Sequence, residues 1–414
     1  MSDTRGERLN VPRTFLLGFG FLGVSVIWSL YNLYVPVFLK DTFHLNSTVI
    51  GIIMAIDNVF AIVLLPFLGA LSDRTRTRLG RRRPYILLGS ILAAAFFVLI
   101  PVSMAKEILA LMMATVILMN LSMALFRSPV IALMPDITPS RYRSQANGII
   151  NLMGGLGSLL VYFGGKPLYD RSVSLPFYVG GLVMLAACAL VVVFIREPEP
   201  EAAAEKKAAP LLETWKELGA NLKDVFGGER SLLLILVSIL FWFIGFNAIE
   251  TFFISFAKYH LGIMESTGGL IFGGFSLTFL ATAIVAGIIG SRLGRRRTIR
   301  IGLMVLLAVL VPSMFVRGFV PLVVLFVVGG FGWALVNVNS LPMVVDMTVA
   351  EKIGGYTGLY YLFSQAANII APPAAGALID LFGYASLMVF SCAMFAVSAV
   401  VVSFVRRGEA AGGK

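Results

Sequence analysis

Twelve apolar runs, separated by short polar turns, constrain this chain more than any motif in it. They fall at 14–38, 48–71, 84–104, 108–133, 145–165, 176–195, 231–257, 267–290, 299–316, 320–344, 355–379 and 385–405. The hydrocarbon core of a bilayer takes about 20 mostly apolar residues per helical crossing. The expected fold class is therefore an all-α polytopic membrane protein with twelve transmembrane helices. Composition agrees: 58% of the 414 residues are hydrophobic and 13% charged, against about 25% charged in a soluble domain. No uninterrupted polar stretch is long enough to be a domain, which excludes a soluble enzyme hung on one anchor.

A net charge of +11 would suggest nucleic acid in a soluble protein. Its distribution decides otherwise. Arg5, Arg8 and Arg13, the six arginines from Arg74 to Arg83, Arg141 and Arg143, six bases in 196–230, five from Arg292 to Arg300, Lys352 and three at the C-terminus lie on one side of the runs. Only Lys40, Lys106, Lys166, Arg171, Lys258 and Arg317 lie on the other, with Arg127 inside a run. Cytoplasmic loops collect Lys and Arg, so both termini are expected in the cytoplasm, with the protein in the cell's inner or plasma membrane. The basic balance reports topology, with no nucleic-acid partner.

Cys188 and Cys392 fall inside the sixth and twelfth runs, where a cysteine is a small buried hydrophobe and no disulfide is expected. His44 and His260 stand at helix ends as solvated loop histidines. No metal-spaced cluster, phosphate loop or nucleophilic triad occurs, so neither metal, cofactor nor enzymatic activity is expected.

The chain repeats itself. Leu79–Arg83 and Leu293–Arg297 both read Leu-Gly-Arg-Arg-Arg, each between the second and third runs of its half. Asp136 and Asp346 end the fourth and tenth runs, each followed two residues on by Thr138 or Thr348, then by a Gly-rich run with Asn147-Gly148 or Thr357-Gly358. His44-Leu45 and His260-Leu261 are followed by Ser47-Thr48 and Ser266-Thr267, candidate helix caps. The organisation is a duplicated six-helix unit: residues 1–195, a cytoplasmic linker 196–230, and residues 231–414. The linker begins as a flexible tether from Glu197-Pro198 to Lys206-Lys207. It continues as an amphipathic helix, Leu211–Phe226, suited to the inner leaflet. Two halves of the same sense place a substrate site near the midplane.

Gly69-x-Leu71-Ser72-Asp73-Arg74 followed by Gly80-Arg81-Arg82-Arg83 resembles the loop signature of the major facilitator superfamily, along nearly the whole chain. Ser72–Pro84, Arg127-Ser128-Pro129 through Asp136, and Arg143-Ser144-x-Ala146-Asn147 resemble the sucrose-transporter-like members of its glycoside-cation symporter branch. That resemblance implies the major facilitator fold and proton-coupled uptake of a sugar, often a disaccharide such as sucrose or maltose.

The loop also has a mechanical reading. Asp73 ends the second run and could dock on the positive N-terminus of another helix, which in the superfamily is the eleventh. The arginine cluster Arg81, Arg82 and Arg83 can reach Asp136, and Arg74, Arg143, Arg295 and Asp346 belong to the same cytoplasmic side. With Gly69 and Gly80 these residues make a candidate cytoplasmic gate. In the second copy Ser291 stands where Asp73 would be. Positive-inside orientation alone would also use the arginines, but has no use for Asp73.

Apart from Arg300 at the edge of the ninth run, three formal charges lie within the runs: Asp57, Arg127 and Glu250. Each costs roughly 2.5–3.5 kcal/mol at a helix centre, so each is expected to face a cavity or a partner. Arg127 lies roughly 15 Å deeper than Asp57 at 1.5 Å per residue, which assigns them separate jobs. Asp57, with Glu250, is the candidate proton-coupling group, because a carboxylate in apolar surroundings holds protons more readily; a fixed structural hydrogen bond is its rival. In sodium-coupled relatives of the branch two acids stand a turn apart on this helix. Here Ile53 and Ala61 occupy those places, which argues against sodium. Trp28, Tyr31, Asn32, Asn58, Arg127, Asn151, Asn247, Glu250, Trp333, Asn337, Tyr361 and Gln365 are the candidate substrate contacts, aromatic faces beside amides and a carboxylate. Any one aromatic is more often core or lipid-facing. Paired Gly runs and Pro36, Pro66, Pro129 and Pro372-Pro373 suggest close helix packing and kinks.

The expectation is a monomeric transporter in the lipid bilayer, importing a sugar with protons. The rivals are an exporter of small amphipathic compounds and a non-transporting membrane sensor.

Overall fold

A computed structural model describes residues 9–139, 142–197, 230–347 and 353–408. These residues form helices α1 (Val11–Asp41), α2 (Ser47–Arg74), α3 (Arg83–Ala105), α4 (Leu109–Ile137), α5 (Arg143–Tyr169), α6 (Leu175–Phe194), α7 (Arg230–Tyr259), α8 (Glu265–Leu293), α9 (Arg295–Ser313), α10 (Phe319–Val345), α11 (Ile353–Phe382) and α12 (Ser386–Ser403). Each corresponds to one apolar run, and no strand occurs among the described residues. Of the linker, only Arg196, Glu197 and Arg230 lie inside the described residues; the amphipathic stretch Leu211–Phe226 lies outside them.

Ten helices are long and apolar enough to cross a membrane, and α2 makes an eleventh despite a 44° bend between Ser47–Ile62 and Phe67–Arg74. The break contains Pro66, which has no N–H to give the helix ladder. The remaining helix, α9, is 19 residues long and opens on Arg295-Arg296-Arg297 with Arg300 a turn later, so every span-length window of it carries several charges. Arginine stems can lie along apolar surface while the guanidinium reaches the headgroups.

Ile284, Phe315 and Leu381 are 78%, 79% and 74% exposed. Such surfaces on a soluble protein would mark interaction sites or aggregation liabilities, whereas a lipid-facing surface requires them. The chain is an integral membrane protein.

Packing sorts the chain into two compact units, Met1–Tyr31 with Val59–Ala208, and Asn32–Asn58 with Ala209–Lys414. In the first, α3 packs on α4 and α6 around fully buried Phe97, Phe126 and Phe177. In the same unit α5 meets α1, Gly157 lying against the Leu22 backbone. In the second unit, α7 packs on α11 and α12, and α8 on α10, around Trp242, Phe253 and Phe256. Gly330 of α10 lies directly on the Phe275 carbonyl of α8, the close backbone approach that Gly-rich runs allow. The second unit also takes the end of α1 and the start of α2, so these two helices each contribute one end to each unit.

Candidate functional site

Two sets of charged residues, each built within one compact unit, stand out beside the polar residues of the spans. The first set belongs to the loop between α2 and α3. Arg82, 4% exposed, is the residue just before α3. Its Nε donates to Asp136 Oδ2 at 3.0 Å, one Nη lies 2.5 Å from Asp73 Oδ1, and the other donates to Ser72 Oγ at 2.6 Å and toward the Gly69 carbonyl at 3.4 Å. Arg81 reaches the other Asp136 oxygen at 2.8 Å. A buried guanidinium is tolerated only when its donors are used, and these are. Asp73, placed by its sequence position to dock on a distant helix, pairs with Arg82 in its own loop. Arg74 ends α2 and Arg143 begins α5, donating to the Pro135 carbonyl at 3.3 Å.

Glu197 completes this set, although its sequence context reads as tether. Its carboxylate accepts the backbone N–H groups of Arg81, Arg82 and Arg83 at 2.8, 2.9 and 2.9 Å, as an anion does at a helix N-terminus. Gly80 has φ +108°, and a Cβ there would lie 2.6 Å from the carboxylate. Both the backbone and the carboxylate therefore demand glycine. Arg83 and Arg13 reach the carbonyls of Val192 and Arg196, fastening the end of α6.

The second copy of the loop is thinner. Arg295 pairs with Asp346 at 2.6 Å and Arg296 donates to the Val405 carbonyl at 2.6 Å. Phe194-Ile195-Arg196-Glu197 is matched after α12 by Phe404-Val405-Arg406-Arg407, so an arginine replaces the capping carboxylate.

The other charged set lies at the opposite ends of the helices, inside the second unit. Asp380 of α11 accepts the Ser47 and Thr48 N–H groups at 2.7 and 2.8 Å and the Thr48 hydroxyl at 2.6 Å, at the start of α2. The Ser-Thr pair is thus held by a remote carboxylate, and the local cap is Asn46, which accepts from the Val49 N–H at 2.9 Å. The N-cap of α8 is Met264, with no side-chain bond, so Ser266-Thr267 does not cap either. Added Cβ atoms on Gly51 and Gly376 would each lie 2.2 Å from a carbonyl oxygen of the facing helix, so α2 and α11 touch backbone to backbone. Lys258 bridges Asp41 at 2.6 Å and Glu265 at 3.2 Å, and the Tyr259 hydroxyl donates to Asp41 at 2.6 Å. Tyr384 stacks on Tyr259 at 5.0 Å. Burial pushes the Tyr384 phenol up to about 12, with the charges of Asp380 and Asp41 adding to it, so it stays neutral at physiological pH.

The polar residues of the spans divide by unit. Asp57 stands ten residues into α2 and Glu250 nine residues before the end of α7, placing each roughly 15 Å inward. Their charges interact, and Asn58 donates to Asp57 at 2.8 Å. On the same face of α7, Asn247 donates to the Phe243 carbonyl at 2.7 Å and to Asn368, which in turn donates to Gln365 at 2.7 Å. Trp333, 4% exposed, stacks on Phe246 at 4.1 Å and meets Phe243 edge-on at 5.6 Å, so protein covers one of its faces. Tyr361 is 55% exposed, and Asn337 and Asn32 are half-buried. In the first unit Tyr31 is fully buried with Trp28 edge-on at 5.6 Å, Arg127 is half-buried and Asn151 exposed. The second unit thus gathers Asp57, Asn58, Glu250, Asn247, Gln365 and Trp333, joined by Phe246 and Asn368. No group of three or more metal-ligating side chains occurs among the described residues.

Residues 17–263 and 244–414 match the sequence profile of the Major Facilitator Superfamily. The chain belongs to this superfamily. Among proteins similar to this major facilitator chain is the isoprimeverose transporter of Lactiplantibacillus pentosus, 24% identical over 68% of this chain and 59% of that one. The match takes in less than two thirds of that relative's length. The quinolone resistance protein NorA of Staphylococcus aureus (strain MRSA252) is 23% identical over 87% of both chains. Among solved structures, the nucleoside transporter NupG superposes with a TM-score of 0.76 at 13% identity, covering 95% of this chain and all of that one. A bacterial homolog of the human lysosomal transporter Spinster, inward-facing and occupied, gives 0.71 at 12% identity over 97% and 95%. These structures share the fold, and the twelve helices of the described residues match the twelve-helix major facilitator architecture.

Proposed function

We propose that this transporter moves a sugar or glycoside together with a proton by alternating access, two six-helix halves rocking with both termini cytoplasmic. The observation that carries the proposal is the placement of Asp57 and Glu250, two carboxylates at similar depth within one compact unit, with a chain of side-chain amides on the Glu250 face. Two like charges in apolar surroundings favour holding one proton between them. The amides supply donors and acceptors suited to hydroxyl groups, and the similarity to an isoprimeverose transporter supports a sugar as cargo. Asp57 is the principal proton carrier. Asn32, Asn247, Glu250 and Gln365 contact the sugar. The Arg81–Arg83, Asp73 and Asp136 set latches the cytoplasmic side, and Asp380 with Lys258 closes the outer one.

Uptake of labelled isoprimeverose, sucrose and maltose into proteoliposomes under an inward proton gradient tests this. Accumulation of at least one sugar that is lost in Asp57→Asn is expected; no accumulation of any of them contradicts it. The second reading, a proton-driven exporter of amphipathic compounds, is favoured by the similarity to NorA over most of both chains. It predicts drug resistance on expression in place of sugar uptake.

A further inference from the structure

We propose that Glu197 is the positioning residue of the Arg-rich latch: it sets the start of α3 so that Arg81 and Arg82 meet Asp136 and Asp73. The inference rests on the reading of that loop as a latch, and the two can fail separately.

Three consecutive N–H groups point at one carboxylate. The first turn of a helix leaves such donors without intrahelical partners, and a carboxylate there gains from both the hydrogen bonds and the helix dipole. The consequence is directional. With its backbone fixed at residues 81–83, α3 projects the Arg82 guanidinium into a cage whose other walls, Asp73, Ser72 and the Gly69 carbonyl, come from α2, and Asp136 from α4.

Gly80 fits the same purpose. Its φ of +108° turns the chain into the helix, and its missing side chain is the space the carboxylate fills. Where the duplication has Arg407 for Glu197 and Ser291 for Asp73, two of the carboxylates of the cage and its cap are replaced in the sequence, while Arg295 keeps its pair with Asp346. Glu197 is also the residue at which the Glu-, Ala- and Lys-rich linker leaves α6, so the linker's origin is bolted to the latch.

The test compares wild type, Glu197→Gln, Glu197→Ala, Asp136→Asn and the Glu197→Gln/Asp136→Asn double variant of the full chain in detergent. Hydrogen exchange in a peptide covering 80–90 should accelerate about ten-fold or more in both Glu197 variants. A peptide covering 295–305 should not change. The thermal losses of Glu197→Gln and Asp136→Asn should be strongly sub-additive, because both break the same Arg–Asp136 alignment. Glu197→Asp should restore part of the protection. Unchanged exchange at 80–90 overturns the proposal. Accelerated exchange with fully additive losses also overturns it, because Glu197 would then cap α3 without positioning the arginines. Sub-additive losses combined with unaltered uptake in Asp136→Asn would leave Glu197 its role and reject the latch.

Discussion

In the loop after α2, Arg81 and Arg82 pair with Asp136 and Asp73 while Glu197 holds the backbone N–H groups; in the loop after α8, Arg295 pairs with Asp346. Both loops come from the same Leu-Gly-Arg-Arg-Arg sequence, and each keeps its arginine-carboxylate pair, Arg81–Asp136 and Arg295–Asp346. The difference lies in Arg82, 5% exposed at its side chain and saturated with partners, whereas Asp346 is 34% exposed. The duplicated motifs thus differ in their carboxylates, Asp73 standing against Ser291 and Glu197 against Arg407. The first loop is a lock whose removal leaves an uncompensated buried charge; the second is a partly exposed pair.

The largest effect should come from the lock. Asp136→Asn leaves Arg82 buried with a weakened partner and should cost about 3–5 kcal/mol, the range for breaking a buried pair, read by denaturation in detergent. A cost below about 1 kcal/mol would erase the distinction between the loops. Asp73→Asn, acting on a more exposed carboxylate, should cost about 1 kcal/mol. Asp346→Asn should cost about 0.5–1 kcal/mol, and that loss should fade in 1 M salt while the Asp136→Asn loss persists, since screening reaches exposed pairs first. Ser291→Asp, which restores the missing carboxylate, should stabilise the second loop by a few tenths of a kcal/mol, visible as a small rise in Tm.

Much of the molecule is legible in its sequence because the bilayer makes apolar length a direct measure of helices. All twelve runs became helices, and the pairing of the first loop's arginines with Asp136 follows from opposite signs at neighbouring positions. Other features were not legible, because they depend on which groups meet in space. Glu197 and Asp380 bind backbone N–H groups across 114 to 116 and 332 to 333 residues of sequence; a backbone donor is carried by nearly every residue and leaves no compositional trace. Trp333 on a polar-lined face promised an open ring for a sugar, yet periodicity fixes only a face, not the neighbour across from it, and here that neighbour is Phe246. Asp57 and Glu250 stood out because charge is costly in a span. That they interact depended on helix packing.

Coupling itself is tested most directly by recording internal pH in proteoliposomes at zero imposed gradient while isoprimeverose, sucrose or maltose is added outside. The account predicts that at least one sugar acidifies the lumen, and that Asp57→Asn abolishes the acidification without unfolding the protein. Sugar entry with no proton movement, or the same acidification in Asp57→Asn, would contradict it.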